Sequence, residues 1–286
     1  MKILKKLGIV SLGLFLAVFM FSPIASAATS PTLGAAAPFV VLSSTYTNTV
    51  PGTTLTGDLG YTTGPAVAPT VNGTTHVADA TYNQAGIDQN AALSNLNSQP
   101  CTFNFAPGAI DLASDTTHGT IGVYTPGVYC ITGAASVGGG GTITLNGAGT
   151  YIFRMDGALT TSANSIVQLA GGATSCDVWW TPTAATTLGA NSTFVGTDID
   201  ASGIAIGSTV TWAGKALAFG GTVSTDVDTI SSTTCVGAAF TTGSSTPGLP
   251  NTGLGSSLKQ SSVLLWTIPA ILFLGSALYF FVRKKV

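Results

Sequence analysis

Charge is scarce in this chain of 286 residues: 7% are Asp, Glu, Lys or Arg, and no glutamate is present. The eleven acids are all aspartates between Asp58 and Asp228, where only Arg154 and Lys215 are basic, so this stretch carries 2 − 11 = −9. Such an acidic balance excludes a strongly basic nucleic-acid-binding domain. Intrinsic disorder is excluded as well, because the mean hydropathy is +0.47 and the charged composition of disordered chains is missing.

The N-terminus has the pattern of an export signal. Three lysines in the first six residues precede an apolar run over 7–21 and the small-residue site Ala25-Ser26-Ala27. A basic start, an apolar run and an A-x-A site are typical of a secretory signal peptide, which we predict over 1–27. The alternative is a membrane-spanning helix, which Pro23 and the cleavage site disfavour.

The C-terminus has the pattern of a surface anchor. An apolar segment over 263–282 is long enough to span a bilayer, and the basic tail after it favours a cytoplasmic end. Alone, this pattern predicts a plain membrane anchor. With the pentapeptide before it, the segment resembles the LPxTG sorting signal of Gram-positive surface proteins. That resemblance implies cleavage by a sortase, attachment to peptidoglycan in the cell wall, and membrane association only before sorting. The pentapeptide is Leu249, Pro250, Asn251, Thr252 and Gly253.

Between these signals we expect one domain over 28–236, followed by a Gly/Ser/Thr/Pro-rich linker over 237–248. All four cysteines fall in the exported part, where disulfides are permitted. Three pairings are possible; loop proximity favours Cys101 with Cys130, which leaves Cys176 with Cys235. A metal site would need closer ligand spacing and more histidines than the chain has, so no metal is expected.

The domain reads as mainly β with one helix. An alanine-rich stretch with few β-branched residues predicts a helix over 77–96, with Ala80, Gln84, Ile87 and Ala91 at helical spacing. Short alternating segments follow, and they recur every 17 to 27 residues near positions 160, 187, 206 and 223. That loose period favours the stacked coils of a β-solenoid over a sandwich. The predicted strands include 142–146, 150–153, 186–189 and 209–212.

Threonine is unusually abundant, with 44 residues. An exposed strand normally uses Lys and Glu for solubility, whereas a face of Thr, Ser, Asn, Gly and Ala would be flat and neutral. Threonine side chains are restricted at χ1, and each offers a hydroxyl that holds water and a methyl group that orders it. Such an array could template ordered water. The plainer alternative is that Thr and Asn only fill solenoid faces and turns.

Motifs along the domain resemble the microbial ice-binding protein family, from about residue 33 to 230. The resemblance implies a discontinuous, right-handed, three-faced β-solenoid with one long α-helix packed alongside. It also implies that the domain binds ice through one flat face, largely from the C-terminal half. We expect the domain to be monomeric. The motifs include Phe39-Val40-Val41-Leu42, Gly57-Asp58-Leu59-Gly60, His76-Val77-Ala78-Asp79-Ala80, Tyr124-Thr125-Pro126-Gly127-Val128-Tyr129, Gly149-Thr150-Tyr151-Ile152-Phe153, Thr193-Phe194-Val195-Gly196 and Gly214-Lys215-Ala216-Leu217-Ala218.

Alternation within the predicted strands selects the outward residues of that face. A register error of one residue would invert any of these sets. The candidates are Thr160, Ser162, Asn164, Thr187, Gly189, Asn191, Thr193, Ala205, Thr209, Thr211, Thr222 and Ser224.

Other functions fit less well. The Asp198/Asp200 and Asp226/Asp228 pairs could hold a calcium ion or act in polysaccharide cleavage. However, aspartates at strand ends more often cap turns, and the chain has few groups for acid–base catalysis. Neither catalytic residues nor a cofactor are therefore expected. A cell-wall-anchored adhesin or glycan-binding solenoid is the second hypothesis, with Trp179, Trp180 and Trp212 as a possible sugar platform, although buried aromatics are commoner.

Overall fold

A computed structural model describes residues 27–232. The predicted sorting motif at 249–253, the segment over 263–282 and the linker lie outside the described residues, as does nearly all of the predicted signal peptide. Within 27–232, no helix is both long and apolar enough to cross a membrane.

The described part contains eighteen strands and one long helix, α1 (Ala80–Ser98), with short 3-10 helices at Gly34–Ala36 and Ser175–Asp177. The mainly β composition with a single long helix is confirmed. The strands are β1 (Phe39–Asn48), β2 (Thr54–Thr56), β3 (Asp58–Tyr61), β4 (Thr70–Asn72), β5 (Thr75–Val77), β6 (Phe103–Asn104), β7 (Ile110–Asp111), β8 (Val123–Tyr124), β9 (Gly127–Ile131), β10 (Ala135–Val137), β11 (Thr142–Asn146), β12 (Tyr151–Thr161), β13 (Ile166–Ala170), β14 (Val178–Leu188), β15 (Thr193–Ile199), β16 (Ile204–Ile206), β17 (Thr211–Thr225) and β18 (Thr229–Ser231).

All strand pairs among the described residues are parallel, and they fall into three ladders. The first ladder runs β6, β9, β12, β14, β15, β17, β1, β3 and β5. The second runs β7, β10, β12, β14, β16, β17 and β1. The third runs β8, β11, β13, β15, β17, β18, β2 and β4. The long strands β12 and β14 each contribute to two ladders, and β17 contributes to all three.

Sequence order and stacking order differ at one joint. The first strand, β1, pairs with β17, and β2 pairs with β18, so the start of the domain stacks on its end. The helix follows β5, and the chain then resumes at β6, which pairs with β9. From there each ladder is built in sequence order up to β17.

The interior contains aromatic side chains that contact one another from one strand to the next. Phe153 and Trp180 stack at 4.4 Å between ring centroids, and Phe194 and Trp212 meet edge to face at 5.1 Å. Indole N–H groups would be unsatisfied in this apolar interior, but Trp180 Nε1 donates to the Val195 carbonyl at 2.9 Å. Buried residues from many of the strands form one hydrophobic cluster, so the core is continuous across the ladders.

The helix packs along the first ladder through both large and small residues. Tyr82, Ala85, Ala92 and Leu96 of α1 form a buried cluster with one outward apolar residue from each of several strands. Burial of that apolar area stabilises the helix, since the hydrophobic effect contributes about 25 cal/mol per Å². The strand residues are Leu42, Val128, Ile152, Trp179, Ile199 and Leu217.

The helix boundaries and its buried side differ from the sequence prediction. The helix begins at Ala80 because Asp79 caps it, accepting the Tyr82 N–H at 2.8 Å, and Val77 belongs to β5 instead. The helical spacing chosen from Ala80 to Ala91 marked the wrong face, since Ile87 is 62% exposed. The buried side includes Gly86 and Gln89, residue types that an apolar pattern does not select.

The strand predictions match best where alternation is clean. Strand β11 has the predicted bounds, with Ile143 and Leu145 buried and Thr142 exposed. The predicted strand over 209–212 starts too early, because Thr209 has a positive φ of 62° and β17 begins at Thr211. A left-handed backbone conformation is uncommon at a β-branched residue, and the sequence around Thr209 contains no pattern that predicts it.

The predicted Cys101–Cys130 disulfide is confirmed, and one cysteine of the second predicted disulfide lies within the described residues. Cys101 and Cys130 are bonded, with Cα atoms 5.9 Å apart. The bond joins the segment after α1 to β9, in the first ladder. Cys176 is also disulfide-bonded, and its predicted partner Cys235 lies outside the described residues.

Candidate functional site

The helix packs on the first ladder, and the second and third ladders carry exposed outward residues among the described ones. The central outward row of the second ladder consists of residues in direct register. Thr160, Thr187 and Ala205 in this row are exposed, and their strand neighbours on either side are buried. We call this set the short-chain row, because it holds only Thr, Ser and Ala: Ser136, Thr160, Thr187, Ala205, Ser224 and Thr47.

The third ladder carries a second row in register. Threonine occupies six of its seven positions, and the exception is Ile166, which is 37% exposed. Next to this row, the long side chain of Gln168 lies on the surface and donates to the Thr144 hydroxyl at 2.9 Å. We call this set the threonine row: Thr142, Ile166, Thr193, Thr211, Thr229, Thr54 and Thr70.

A corner of left-handed residues separates the two rows. Asn164, Asn191 and Thr209 have φ values of 62°, 57° and 62° and occupy equivalent turns in successive coils. Asn164 N–H donates to the Ala190 carbonyl and Asn191 N–H to the Ser208 carbonyl, both at 2.9 Å, so the turns stack through their backbones. The Thr209 hydroxyl donates to the Asn191 amide oxygen. The corner therefore ends one row and begins the next.

Hydroxyl groups beneath the surface hold these turns in shape. Ser165 donates to the Ser162 carbonyl at 2.6 Å, and one coil later Ser192 donates to the Gly189 carbonyl at 2.7 Å. Gly189 N–H in turn donates to the buried Thr161 hydroxyl at 2.9 Å. These turn residues are fixed by the fold, which limits the motion of the outward side chains beside them.

The twelve residues chosen from sequence are divided between these surfaces, so they do not form a single row. Thr160, Thr187, Ala205 and Ser224 lie in the short-chain row, and Thr222 lies two residues before Ser224 on the same ladder. The other seven lie past the strand ends, at the corner or in the threonine row, because the left-handed corner residue turns the chain before the next strand. They are Ser162 and Gly189; Asn164, Asn191 and Thr209; and Thr193 and Thr211.

Sequence reasoning missed Ser136 and Thr47 in the short-chain row. Alternation around Ser136, between buried Ala135 and Val137, was available as a signal. Thr47 could not be predicted from local sequence, because it pairs with Ser224, 177 positions later. Only the pairing of β1 with β17 brings the two residues together.

Charge is absent from the short-chain row. Both basic residues of the described part point elsewhere. The Arg154 guanidinium donates to the Gln99 carbonyl at the end of α1, and Lys215 is 3% exposed. Asp111 pairs with Ser136 at one end of the row, where it accepts the Ala113 N–H at 3.1 Å and the Gly138 N–H at 3.0 Å. The row is therefore a neutral surface, and the carboxylate in register with its end binds the N–H groups of a turn.

In each aspartate pair considered for calcium or catalysis, the second member, Asp200 or Asp228, accepts backbone N–H groups. Asp200 accepts N–H groups from Thr186 and Ser202, both at 2.8 Å. Asp228 accepts them from Val210 at 2.8 Å and Asp226 at 2.7 Å, and burial raises the pKa of Asp228 to about 6. Three metal-ligating side chains converge nowhere within residues 27–232.

The tryptophans considered as a sugar platform are buried. Trp180 and Trp212 lie in the core with no exposed area, and Trp179 is 3% exposed beneath the helix. Their rings stack on core residues or pack against α1, so they offer no exposed face on which a sugar could stack.

Comparison with known proteins agrees with this architecture. The family described as Ice-binding-like matches residues 40–231. An ice-binding protein of Nostoc sp. (strain HG1) is 31% identical over 234 residues, covering 76% of this chain and 81% of the relative. An ice-binding protein of Flavobacterium frigoris (strain PS1) is 31% identical over 181 residues, covering 60% of this chain and 66% of the relative.

Solved structures show the same likeness. The crystal structure of an ice binding protein from an Antarctic Biological Consortium has a TM-score of 0.64 and 28% identity, covering 74% of this chain and 95% of that one. The crystal structure of an ice-binding protein from the Antarctic ascomycete Antarctomyces psychrotrophicus has a TM-score of 0.61 and 26% identity, covering 71% and 98%. The family match spans most of the chain, and the chain belongs to the Ice-binding-like family.

Proposed function

We propose that the domain binds ice crystals through the short-chain row of the second ladder, and so inhibits ice growth or recrystallisation or adheres to ice. The observation that carries the proposal is the register of six neutral, short side chains across neighbouring strands. Neighbouring strands are about 4.7–4.9 Å apart, and the threonines are restricted at χ1. Hydroxyl and methyl groups at regular intervals can therefore hold water in an ordered layer.

The short-chain row fits a flat crystal surface better than the threonine row. The threonine row is interrupted by the exposed Ile166, and Gln168 projects beside it. In the short-chain row no side chain is longer than threonine. The corner residues Asn164, Asn191 and Thr209 form its rim.

The architecture that we propose to present this row is a right-handed, three-faced solenoid. Support comes from the three parallel ladders, each of which would be one face, and from the strong preference for right-handed connections between parallel strands. The joint between β1 and β17 would make the solenoid discontinuous.

Ice shaping by the domain is the direct test. Residues 28–248, lacking the predicted export and anchor segments, should facet growing ice crystals and slow recrystallisation in a sucrose solution at micromolar protein. The same protein after reduction and heat denaturation serves as the control. Round, unshaped crystals and unchanged grain growth with the folded domain would refute the proposal.

We further propose that the domain acts at the cell surface, exported by its N-terminal signal and attached to peptidoglycan through Thr252. Support comes from the sequence alone, in which the LPNTG pentapeptide, the apolar segment and the basic tail occur in order. A tethered domain cannot protect bulk fluid, so its role would be ice adhesion or protection of the cell's surroundings. Thr252→Ala should move the protein from the wall fraction to the membrane fraction, and an unchanged wall fraction would contradict sorting.

A further inference from the structure

A carboxyl group without a partner lies in the core behind the short-chain row. Asp198 has no exposed area, and neither of its oxygens has a hydrogen-bond partner within the described residues. It sits in β15, paired with Trp180 on one side and Ala216 on the other, and both of these are core residues. A buried, unpaired carboxylate is strongly unfavourable because it has lost its hydration, so the group needs either a proton or a donor.

A second carboxyl lies two residues away. Asp200 is 1% exposed and accepts the N–H groups of Thr186 and Ser202, both at 2.8 Å. Its charge is the one that acts on Asp198. Burial and the neighbouring carboxylate raise the pKa of Asp198 well above its usual range, and burial raises the pKa of Asp200. Because hydrogen bonds to a carboxylate favour its charged form and only Asp200 has them, Asp198 is the neutral member.

The Thr186 hydroxyl connects the two carboxyls. It is buried and lies near enough to both to oppose the rise of each pKa, yet its oxygen has no partner of hydrogen-bonding geometry. A hydroxyl has one donor and two acceptor sites. A proton on Asp198 can therefore be donated to the Thr186 oxygen while the Thr186 O–H is donated to Asp200. This arrangement gives a partner to the Thr186 oxygen and to the protonated oxygen of Asp198.

We propose that Asp198, Thr186 and Asp200 form a buried hydrogen-bonded chain holding one proton, and that Asp198 and Asp200 are positioning residues for the short-chain row. Thr186 precedes Thr187 in β14, and its N–H is held by the Asp200 carboxylate at 2.8 Å and the Gly203 carbonyl at 3.0 Å. Gly203 leads directly into β16, which carries Ala205. The chain of hydrogen bonds thus fixes two adjacent members of the row; its role in ice binding rests on the function proposed above.

The proton on Asp198 can be detected without any ice assay. In infrared difference spectra between the full-length protein and its Asp198→Asn variant at neutral pH, the wild type should show the carbonyl stretch of a protonated carboxylic acid. Carbon-13 labelling of aspartate should shift that band. A difference spectrum with only carboxylate bands would overturn the proposal, whatever the protein does to ice.

Positioning is tested by comparing a conservative with a disruptive variant. Asp198→Asn keeps a neutral donor for Thr186, so the amide and methyl NMR shifts of Thr187 and Ala205, and any ice activity, should stay near wild type. Asp198→Ala and Thr186→Val remove the chain, and should shift those signals and weaken ice shaping severalfold at temperatures well below unfolding. Should either variant fail to fold, the comparison of Asp198→Asn with the wild type still decides. Large shifts of the Thr187 signals in Asp198→Asn, relative to the wild-type spectrum, would contradict the positioning role.

Discussion

At the residue scale, the described acids serve the fold more than the surface. Asp79 caps α1, Asp200 and Asp228 bind turn N–H groups, and Asp111 binds the turn at Gly138. The −9 charge of the middle of the chain therefore does not fall on the short-chain row. The sequence predicted turn capping for the Asp198/Asp200 and Asp226/Asp228 pairs, which Asp200 and Asp228 perform. It could not reveal that Asp198 is fully buried away from backbone donors, because that depends on which strands pair with β15.

Asp228 predicts a dependence of stability on pH. Burial raises its pKa from an ordinary value of 3.8 to about 6, so the folded state binds a proton more tightly than the unfolded state. The stabilising contribution is complete below pH 3.8 and is lost as pH rises through 6, by on the order of 2 kcal/mol. The free energy of unfolding of wild type minus that of Asp228→Asn, from urea titrations, should fall between pH 4 and 7. A difference that is constant or rises over this range would contradict the prediction.

Removing the buried ammonium group of Lys215 should cause a large loss in the free energy of unfolding. Its ammonium group donates to the carbonyls of Ala37 at 2.5 Å and Phe39 at 3.1 Å and to the Ser232 hydroxyl at 2.7 Å. Lys215→Met keeps the chain length but leaves buried acceptors unpaired, so the free energy of unfolding should fall by about 2–4 kcal/mol. Gln168→Met, at an exposed site, should change it by less than about 0.5 kcal/mol. Equal effects of the two substitutions on chemical unfolding would show that Lys215 does not join the start and end of the domain.

At the element scale, the helix shows what pattern reading can and cannot supply. Alanine richness predicted that a helix exists near 77–96, and α1 is found over 80–98. Its buried side was not predictable, because Ala85, Gly86 and Gln89 face the first ladder while Ile87 points to solvent. At Gly86 the close approach of the Phe219 ring leaves no room for a side chain, so the buried side does not follow the apolar periodicity that normally marks a buried face.

Gly86 tests this close approach. A Cβ atom there would lie 2.3 Å from the Phe219 ring. Replacing glycine by alanine inside a helix normally raises the free energy of unfolding by about 1 kcal/mol. Here overpacking against Phe219 should instead lower it by about 1–3 kcal/mol. Thermal unfolding should show a lower Tm for Gly86→Ala and recovery in the double variant with Phe219→Leu. Asn90→Ala, on the exposed side, is the matched control and should not lower Tm. Stabilisation by Gly86→Ala alone would refute the packing account.

At the scale of the whole molecule, local sequence predicted stacked strand segments but not the pairing of the first strand with the last part of the domain. The spacing of segments near 160, 187 and 206 indicated stacked coils, and strands in that region do pair in order. The pairing of β1 with β17 joins residues more than 170 positions apart, so no local pattern contains it. For the same reason Thr47 could not be assigned to the short-chain row.

The disulfide between Cys101 and Cys130 should stabilise the region after α1, where the chain returns to the sheet. Cys101 and Cys130 close a loop with a sequence separation of 29, for which the chain-entropy relation gives about 3–4 kcal/mol. In guanidinium titrations, the free energy of unfolding of the double variant Cys101→Ser and Cys130→Ser should be about 3–4 kcal/mol lower than that of the wild type. The wild type in reducing buffer should shift in the same direction, and an unchanged midpoint in both experiments would contradict the expected contribution.

The central claim is that ice meets the second ladder, and two neighbouring threonines test it most directly. Thr187 lies in the short-chain row and Thr193 lies one corner away in the threonine row; both are exposed. Tyrosine at either position adds the same bulk to a different surface. With folding verified by circular dichroism and Tm, thermal hysteresis should be mostly lost in Thr187→Tyr and retained in Thr193→Tyr. Retention in the Thr187 variant, or loss in the Thr193 variant, would contradict the account.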